Sequence, residues 1–470
     1  MRRETLTIMA SVIILTGALL YVRLLTEAFI PGTTTRDHPA LAVCLALGLA
    51  GLAWIMLLRI FRRRRPDGGL IRSAYILPVL ILTGIGLRVM FFDSNPVYEN
   101  DFKRYLWDGA VTANGQNPYT YSPSEIYEAG KPGAASVPDL ARLAIMSNEA
   151  DFITGAINSP LLTTIYPPAA QAVFALAYAI APFSPAALKF VFLMIEGLGL
   201  AALIACLRAR GLSLELSALY WLNPIVIFTT YNGLHMDVLL VPPLLAAVLW
   251  SVRRPWLAAL MLSLAAAIKL WPLILAPVLF RQWRGRPGVY VGVAGLIAGL
   301  TALSVLPMVM SMGESSGLRA YSANWTNSSF LFPLLRACLG VVTDNPNALA
   351  RYVIAAIIVA ASLRLGFKRR QDPESIAAHI FLLTALFVLL SPTGYPWYFI
   401  WFLMFLPLVA EHFAARGLAL LSVLGSVYFL RFSLGESGQY HLYTHVLVPI
   451  EFGLPLLVVA WDYARRRAHD

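Results

Sequence analysis

Charge is scarce in this chain. Only 13% of its 470 residues are Asp, Glu, Lys or Arg, and 59% are apolar, whereas soluble domains carry roughly 25% charged and 45–50% apolar residues. That shortage excludes a water-solvated globule and makes a division by domain length meaningless. Cysteine is scarcer still. Cys44, Cys206 and Cys338 lie in or beside apolar runs with no paired spacing, which excludes a disulfide framework and a cysteine zinc site and predicts three small core residues. No internal repeat and no low-complexity tract is present, and a repeat is what a secondary transporter would show. Long polar stretches are also missing, with one exception between residues 93 and 162.

What remains is a series of apolar runs punctuated by arginine. The net charge is +11, but the basic residues fall in short clusters between apolar segments, as cytoplasmic anchors of membrane helices do, so nucleic acid is not an expected partner. Arg2 and Arg3 precede a run ending near Ile30, which reads as a signal anchor that stays. A second run over 39–61 meets Arg62, Arg63, Arg64 and Arg65, fixing that end inside. The third, 73–92, therefore exits to the outside near Asp93. Further markers at Arg208 and Arg210, Arg253 and Arg254, Arg281 to Arg286, Lys368 to Arg370, Arg416, and Arg465 to Arg467 require even numbers of crossings between them.

The expected fold is an all-α, polytopic membrane protein of about 12 to 14 transmembrane helices with both termini cytoplasmic, several of its spans being too short for a ~30 Å hydrocarbon layer unless broken. Spans are placed near 213–231, 237–252, 256–268, 271–281, 288–311, 346–366, 375–391, 396–412, 416–433 and 443–462. Residues 163–207 hold two apolar segments where the topology needs an odd number of crossings. The segment opening with Tyr166, Pro167 and Pro168 is accordingly expected to be re-entrant or to lie along the surface. The expected organisation is one domain over 1–470: added helices in 1–72, an external loop over 93–162, and a helical bundle over 163–470. The loop holds nine acidic and four basic residues, leaving +16 on the remainder, as an external loop between basic internal ones should.

The loop opens Glu99-Asn100-Asp101-Phe102-Lys103-Arg104-Tyr105-Leu106-Trp107-Asp108-Gly109 and continues through Asn117-Pro118-Tyr119 to Asn158 and Tyr166-Pro167-Pro168. Asn223-Pro224, Gly233-Leu234-His235-Met236-Asp237, Lys269-Leu270-Trp271-Pro272, Ser391-Pro392-Thr393 and Pro396-Trp397-Tyr398 follow in order. This ordered set, spanning about residues 75 to 410, resembles the GT-C superfamily of integral membrane glycosyltransferases, in particular its bacterial, polyprenyl-phosphate-mannose-dependent members. The resemblance implies transfer of a hexose, mannose foremost, from a polyprenyl-phosphate donor to a hydroxyl of a lipid, cell-envelope glycan or protein. It places that reaction at the external face of a bacterial cytoplasmic membrane and assigns Asp101 as the catalytic acid-base group.

The residues support the same chemistry independently. Sugar transfer from a lipid phosphate needs a base for the acceptor proton and cationic or hydrogen-bonding groups for the departing phosphate, converging at one membrane face. Asp101, just past the third span, is the candidate base, with Glu99 its nearest rival. If the loop begins as a helix, Asp101 and Tyr105 share one face and Arg104 and Asp108 another. Asp108 before Gly109 reads equally as a turn former. Asp237 is a second external carboxylate, or a helix cap. His235, two residues away, is a poor metal partner with no third ligand near in sequence, so no metal cofactor is expected. Lys269 lies between apolar runs and needs a partner, the donor phosphate by this reading, unless it snorkels to the interface. Tyr166, Arg319 and Arg431 complete the predicted substrate-binding set, with Arg336 as a further external cation. Arg88 and Glu196 fall inside hydrophobic segments and require partners of their own. Asn324 and Asn327 match glycosylation sequons, but the local pattern of Trp325, Asn327 and Phe330 reads better as the outer rim of the site. The competing reading is a lipid-linked glycan transporter or flippase, which would place its ionisable groups at the membrane midplane rather than in an external loop.

Overall fold

The computed structural model describes residues 2–30, 37–62, 70–129, 155–313, 315–368 and 373–468. Arg63 to Arg65, Arg369, Arg370 and residues 130–154 of the predicted external loop lie outside the described residues. Among the described residues the chain is helical, with a single isolated bridge between Asn327 and Thr393 in place of any sheet. The protein is a multi-pass, all-α membrane protein. Among the described residues seven helices are long and apolar enough to cross a bilayer, and an eighth candidate is a pair, Pro224–Tyr231 and Met236–Trp250, bent by 112°. The other expected spans are short, apolar helices such as Pro255–Ala266 and Pro396–Leu408. At about 1.5 Å per residue these fall well short of the bilayer thickness.

Helices α1 (Arg2–Leu25), α2 (Ala40–Arg62) and α3 (Leu70–Val89) fall where the apolar runs predict. The polar run then starts as helix α4, Asp101–Ala113, an amphipathic element in a stretch the sequence marks as external. Its inner face carries Tyr105, Leu106, Trp107, Ala110 and Val111. That face packs on α5 (Pro168–Ile180), the segment singled out for failing the crossing count. At 13 residues α5 spans about 18 Å, too little to traverse the membrane. Gly109 permits the close approach of the two helices, since a Cβ there would sit 2.4 Å from the Phe174 carbonyl oxygen. Helix α6 (Pro185–Ala209) begins after Ser184, whose side chain caps the Ala187 N–H, with proline at its first position.

The two ionisable residues buried in hydrophobic segments find each other. Arg88 of α3 makes a two-pronged pair with Glu196 of α6, Nε to Oε2 at 2.7 Å and Nη2 to Oε1 at 2.6 Å. Tyr220 and Tyr231 donate their hydroxyls to the same carboxylate at 2.8 and 2.6 Å. The two Nη1 N–H groups donate to the Gly84 and Trp221 carbonyls at 2.9 and 2.8 Å. Every charge is thus met, the condition under which such a pair persists in a low-dielectric interior. Lys189 is likewise satisfied, donating to the Phe91 and Phe92 carbonyls just past the end of α3. Cys44 and Cys206 are buried as expected, but Cys338 is exposed. It lies on the short helix Leu331–Leu339, which has only Phe332 buried.

Helix interruptions recur at one end of the bundle, and proline marks them. Helix α7 (Pro224–Tyr231) is capped by Asn223, whose Oδ1 accepts from the Ile225 and Val226 N–H groups. It breaks at Asn232 to His235, where Leu234 adopts φ 55°, a left-handed conformation uncommon for a bulky side chain. The His235 N–H returns to the Thr229 carbonyl at 3.1 Å, so the reversal is held by the backbone itself. A 3₁₀ turn over Met236–Leu240 then leads into α8 (Val241–Trp250). Equivalent breaks precede Pro272 and Pro396. Each one delivers polar side chains to a single cavity beside α4.

Candidate active site

A cavity of about 940 Å³ opens beside the start of α4. The sequence signals that were far apart in the chain converge there: Glu99, Asp101, Arg104, Tyr105, Tyr166, Asp237, Lys269 and Arg431 all line it. Asp108 and His235 lie just behind its wall, each 2% exposed. Arg319 and Arg336 belong to exposed faces of their helices and do not line the cavity.

Asp101 is the first residue of α4 and accepts a 2.9 Å hydrogen bond from the Asn158 side-chain amide. Asn158 also donates to Asn100. Arg104 fastens the segment that carries Asn158, donating to the Leu162 and Ser159 carbonyls at 3.0 Å each. The predicted pairing of faces on α4 therefore holds, but Arg104 serves the loop backbone. Burial pushes the Asp101 carboxyl above the usual carboxylate range, against the Asn158 hydrogen bond and the charges of Lys269 and Arg104, which draw it down. Glu99 is pushed up further, by burial and then by the Asp101 charge, with Arg431 opposing. Two neighbouring carboxylates in a desolvated site cannot both ionise cheaply, so their environments hold Glu99 as the protonated partner and leave Asp101 the better base.

Glu99 Oε2 lies 3.4 Å from His235 Nε2. His235 is held flat against Trp397, ring centroids 3.5 Å apart. Among the described residues, Glu99 Oε1 and His235 Nε2 are buried without a hydrogen-bond partner. The third donor that the linear sequence did not offer is supplied by folding: Glu99, Asp101 and His235 present ligand atoms within 4.8 Å of one another, a set that could hold a divalent cation.

Across the cavity, Asp237 accepts from Lys269 Nζ and from Trp401 Nε1, both at 2.6 Å and both on Oδ1. The partner of Lys269 is therefore a carboxylate, where the sequence suggested only the donor phosphate. One ammonium N–H is used, and an ammonium has three. Its charge also lies over the Tyr398 and Trp401 rings, at 4.9 and 5.1 Å. Arg431 reaches the Asn327 side-chain oxygen, and Asn327 donates to Tyr395 Oη at 3.0 Å. Tyr166 and Tyr105 meet edge to face with centroids 5.0 Å apart, and Tyr105 stacks on Phe174. Asp108 accepts from Gln171 and Thr164, and burial raises it to about 6 against those bonds and the Arg104 charge. It braces α4 against α5 from behind the cavity, as the turn-forming alternative for this residue would not.

Sequence reasoning missed the aromatic wall. Tyr321, Tyr395, Trp401 and Tyr428 line the cavity, with Tyr321 and Tyr398 hydroxyls 2.9 Å apart. The available signal was the spacing of Trp397 and Trp401, one helical turn apart in a run that otherwise reads as lipid-facing. Such flat, partly polar rings suit the faces of a sugar. The cavity runs on to Phe29, Ile30 and His38 at one side and to Leu270, Ile354 and Phe387 at another, so polar walls near Asp101 give way to apolar ones in two directions.

Residues 164–392 match the family described as Glycosyltransferase family 87. The chain is 24% identical over 403 residues to Alpha-(1->6)-mannopyranosyltransferase B of Corynebacterium glutamicum, covering 77% of this chain and 64% of that protein. It is 25% identical over 261 residues to GPI mannosyltransferase 1 of Debaryomyces hansenii, covering 47% of this chain and 61% of that protein. The chain thus spans somewhat under two thirds of the curated relatives it matches. No solved structure matches. The ordered motifs, the helical membrane architecture and these matches together make the chain similar to integral membrane glycosyltransferases, mannosyltransferases among them.

Proposed function

We propose that this protein transfers a hexose, mannose foremost, from a polyprenyl-phosphate donor to a hydroxyl on a lipid or cell-envelope glycan by a single inverting displacement. The observation that carries the reading is the convergence of Asp101, the Asp237–Lys269 pair and Arg431 on one cavity whose walls turn apolar toward two sides. Asp101 takes the proton of the acceptor hydroxyl. The acceptor oxygen bonds to the anomeric carbon while the bond from that carbon to the phosphate oxygen breaks, its electron pair leaving with the phosphate. Lys269, with N–H donors beyond the one given to Asp237, and Arg431 receive the charge that develops on that leaving group. The aromatic wall orients the sugar so that attack is in line. Asp237 acts by fixing Lys269, and Glu99, protonated, sits beside the base without competing for the acceptor proton.

By this reading the cavity faces the external side of a bacterial cytoplasmic membrane, both termini lie in the cytoplasm, and 1–470 works as one domain. Phosphate neutralisation by side chains makes the transfer metal-independent, although the Glu99, Asp101 and His235 set gives a cation somewhere to bind. The test is transfer of labelled mannose from polyprenyl-phosphate-mannose by the purified protein in nanodiscs. Product inverted at the anomeric carbon and unchanged by a chelator is the expected result. Retention of configuration would remove the single displacement. Loss on chelation and recovery with a divalent ion would move the three-ligand set into the mechanism.

A further inference from the structure

A second cavity, of about 640 Å³, lies at the opposite end of the bundle and takes no part in the proposed transfer. It is reached along α2: His38, just before this helix, lines the active-site cavity, whereas Arg59 and Arg62 at its far end line the second one. The 23 residues of α2 put the two about 33 Å apart, on opposite faces of a membrane. Arg416 and Arg466 bring two more guanidinium groups to this cavity from the helix Phe413–Ala419 and the C-terminal helix Val448–Arg467.

Charge here is unbalanced. Four arginines face one carboxylate in the cavity wall, Glu411, and a second, Asp462, pairs with Arg416 at 3.5 Å. Arg466 donates to the Glu411 backbone carbonyl. The rest of the wall is apolar, including Ile55 and Val458. Arg59, Arg416 and Arg466 are exposed, so water screens their mutual repulsion, but a hollow lined by four guanidinium groups still favours an anion. An arginine ring over an apolar wall, at the depth where a spanning helix ends, matches a headgroup phosphate joined to acyl chains.

We propose that this cavity binds the phosphate of an anionic phospholipid, with its acyl chains along the apolar wall below. A soluble phosphate shares the charge but not the hydrocarbon, so the position at the helix ends favours the lipid. Occupancy would tie α2 to the two C-terminal helices that flank it.

The test uses the full chain in nanodiscs of phosphatidylcholine, with or without phosphatidylglycerol, followed by native mass spectrometry of retained lipid and a thermal melt. The wild type is expected to retain phosphatidylglycerol at least about tenfold in preference to phosphatidylcholine, since each basic side chain near the surface contributes about 1 kcal/mol, and to melt at higher temperature with it. Arg62→Ala with Arg416→Ala should lose both effects, and Arg62→Lys with Arg416→Lys should keep most of the preference, which separates lost charge from lost fold. Equal retention by wild type and the alanine variant would overturn the proposal. So would the same rise in melting temperature from inorganic phosphate in phosphatidylcholine alone, which would assign the cavity to a soluble anion.

Discussion

At the scale of single residues, the account rests on how the fold sets the ionisation of its carboxylates. Asp101 is raised by burial, and the Asn158 hydrogen bond is the foremost opposing influence. A base works only when ionised, so transfer should fail as pH falls through the Asp101 pKa, at a pH above that of an ordinary aspartate. Asn158 favours the ionised form. Asn158→Ala should therefore move the acid limb of the kcat profile to higher pH, and a limb that stays put or moves down would detach that amide from the base. Asp108 has the opposite role. Its carboxyl is raised from 3.8 to about 6, so between those values the folded state holds a proton that the unfolded state has released. Stability should then fall as pH rises across that window and level off above it. Asp108→Asn should flatten this slope in thermal melts taken across the window. Neither effect was legible in the sequence, which gives Asp108 as one half of an Asp-Gly pair and says nothing of the Gln171 and Thr164 that surround it. The place of Asp101 in the cavity was legible, because its position just past an apolar run and the motif around it needed no contact from elsewhere.

At the scale of elements, the site is made of helix starts and helix breaks. Helix α4 begins at Asp101, α7 and α8 are split around His235 and Asp237, and Lys269 and Thr393 sit at the breaks before Pro272 and Pro396. The proline-marked motifs were readable as places where apolar runs stop, and the short, doubtful segment after Tyr166 was readable from crossing parity alone. What periodicity could not disclose is the packing that closes the site. Helices α4 and α5 meet through Gly109, and Gly109→Ala would drive a methyl group against the Phe174 carbonyl oxygen. Displacing that backbone should cost about 1–3 kcal/mol and reduce transfer by moving Asp101, readable as a lower melting temperature together with a lower kcat. A variant with wild-type melting and turnover would show that the two helices do not need this contact.

At the scale of the whole molecule, two charged cavities sit at opposite ends of an apolar bundle whose buried Arg88–Glu196 pair is fully hydrogen-bonded. The Arg88–Glu196 pair joins α3, which leads into the segment that carries Asp101, to α6, and two tyrosines complete the carboxylate's bonds. Sequence reading recognised that both residues needed partners without pairing them, because 108 residues separate them. Removing one partner strands a buried charge, so Arg88→Met or Glu196→Gln should each destabilise the protein by about 3–5 kcal/mol, while the double variant should recover much of that loss. Additive losses in melts of the three variants would deny the coupling. The proposed role of Asp101 as base in a lipid-linked sugar transfer can be tested by comparing wild type with Asp101→Asn in nanodiscs loaded with polyprenyl-phosphate-mannose. The variant should still bind the donor with near-native affinity and lose transfer by about 10²–10⁴-fold, the usual contribution of a positioned general base. Transfer at the wild-type rate with the donor bound would contradict it and return the role of base to Glu99 or Asp237.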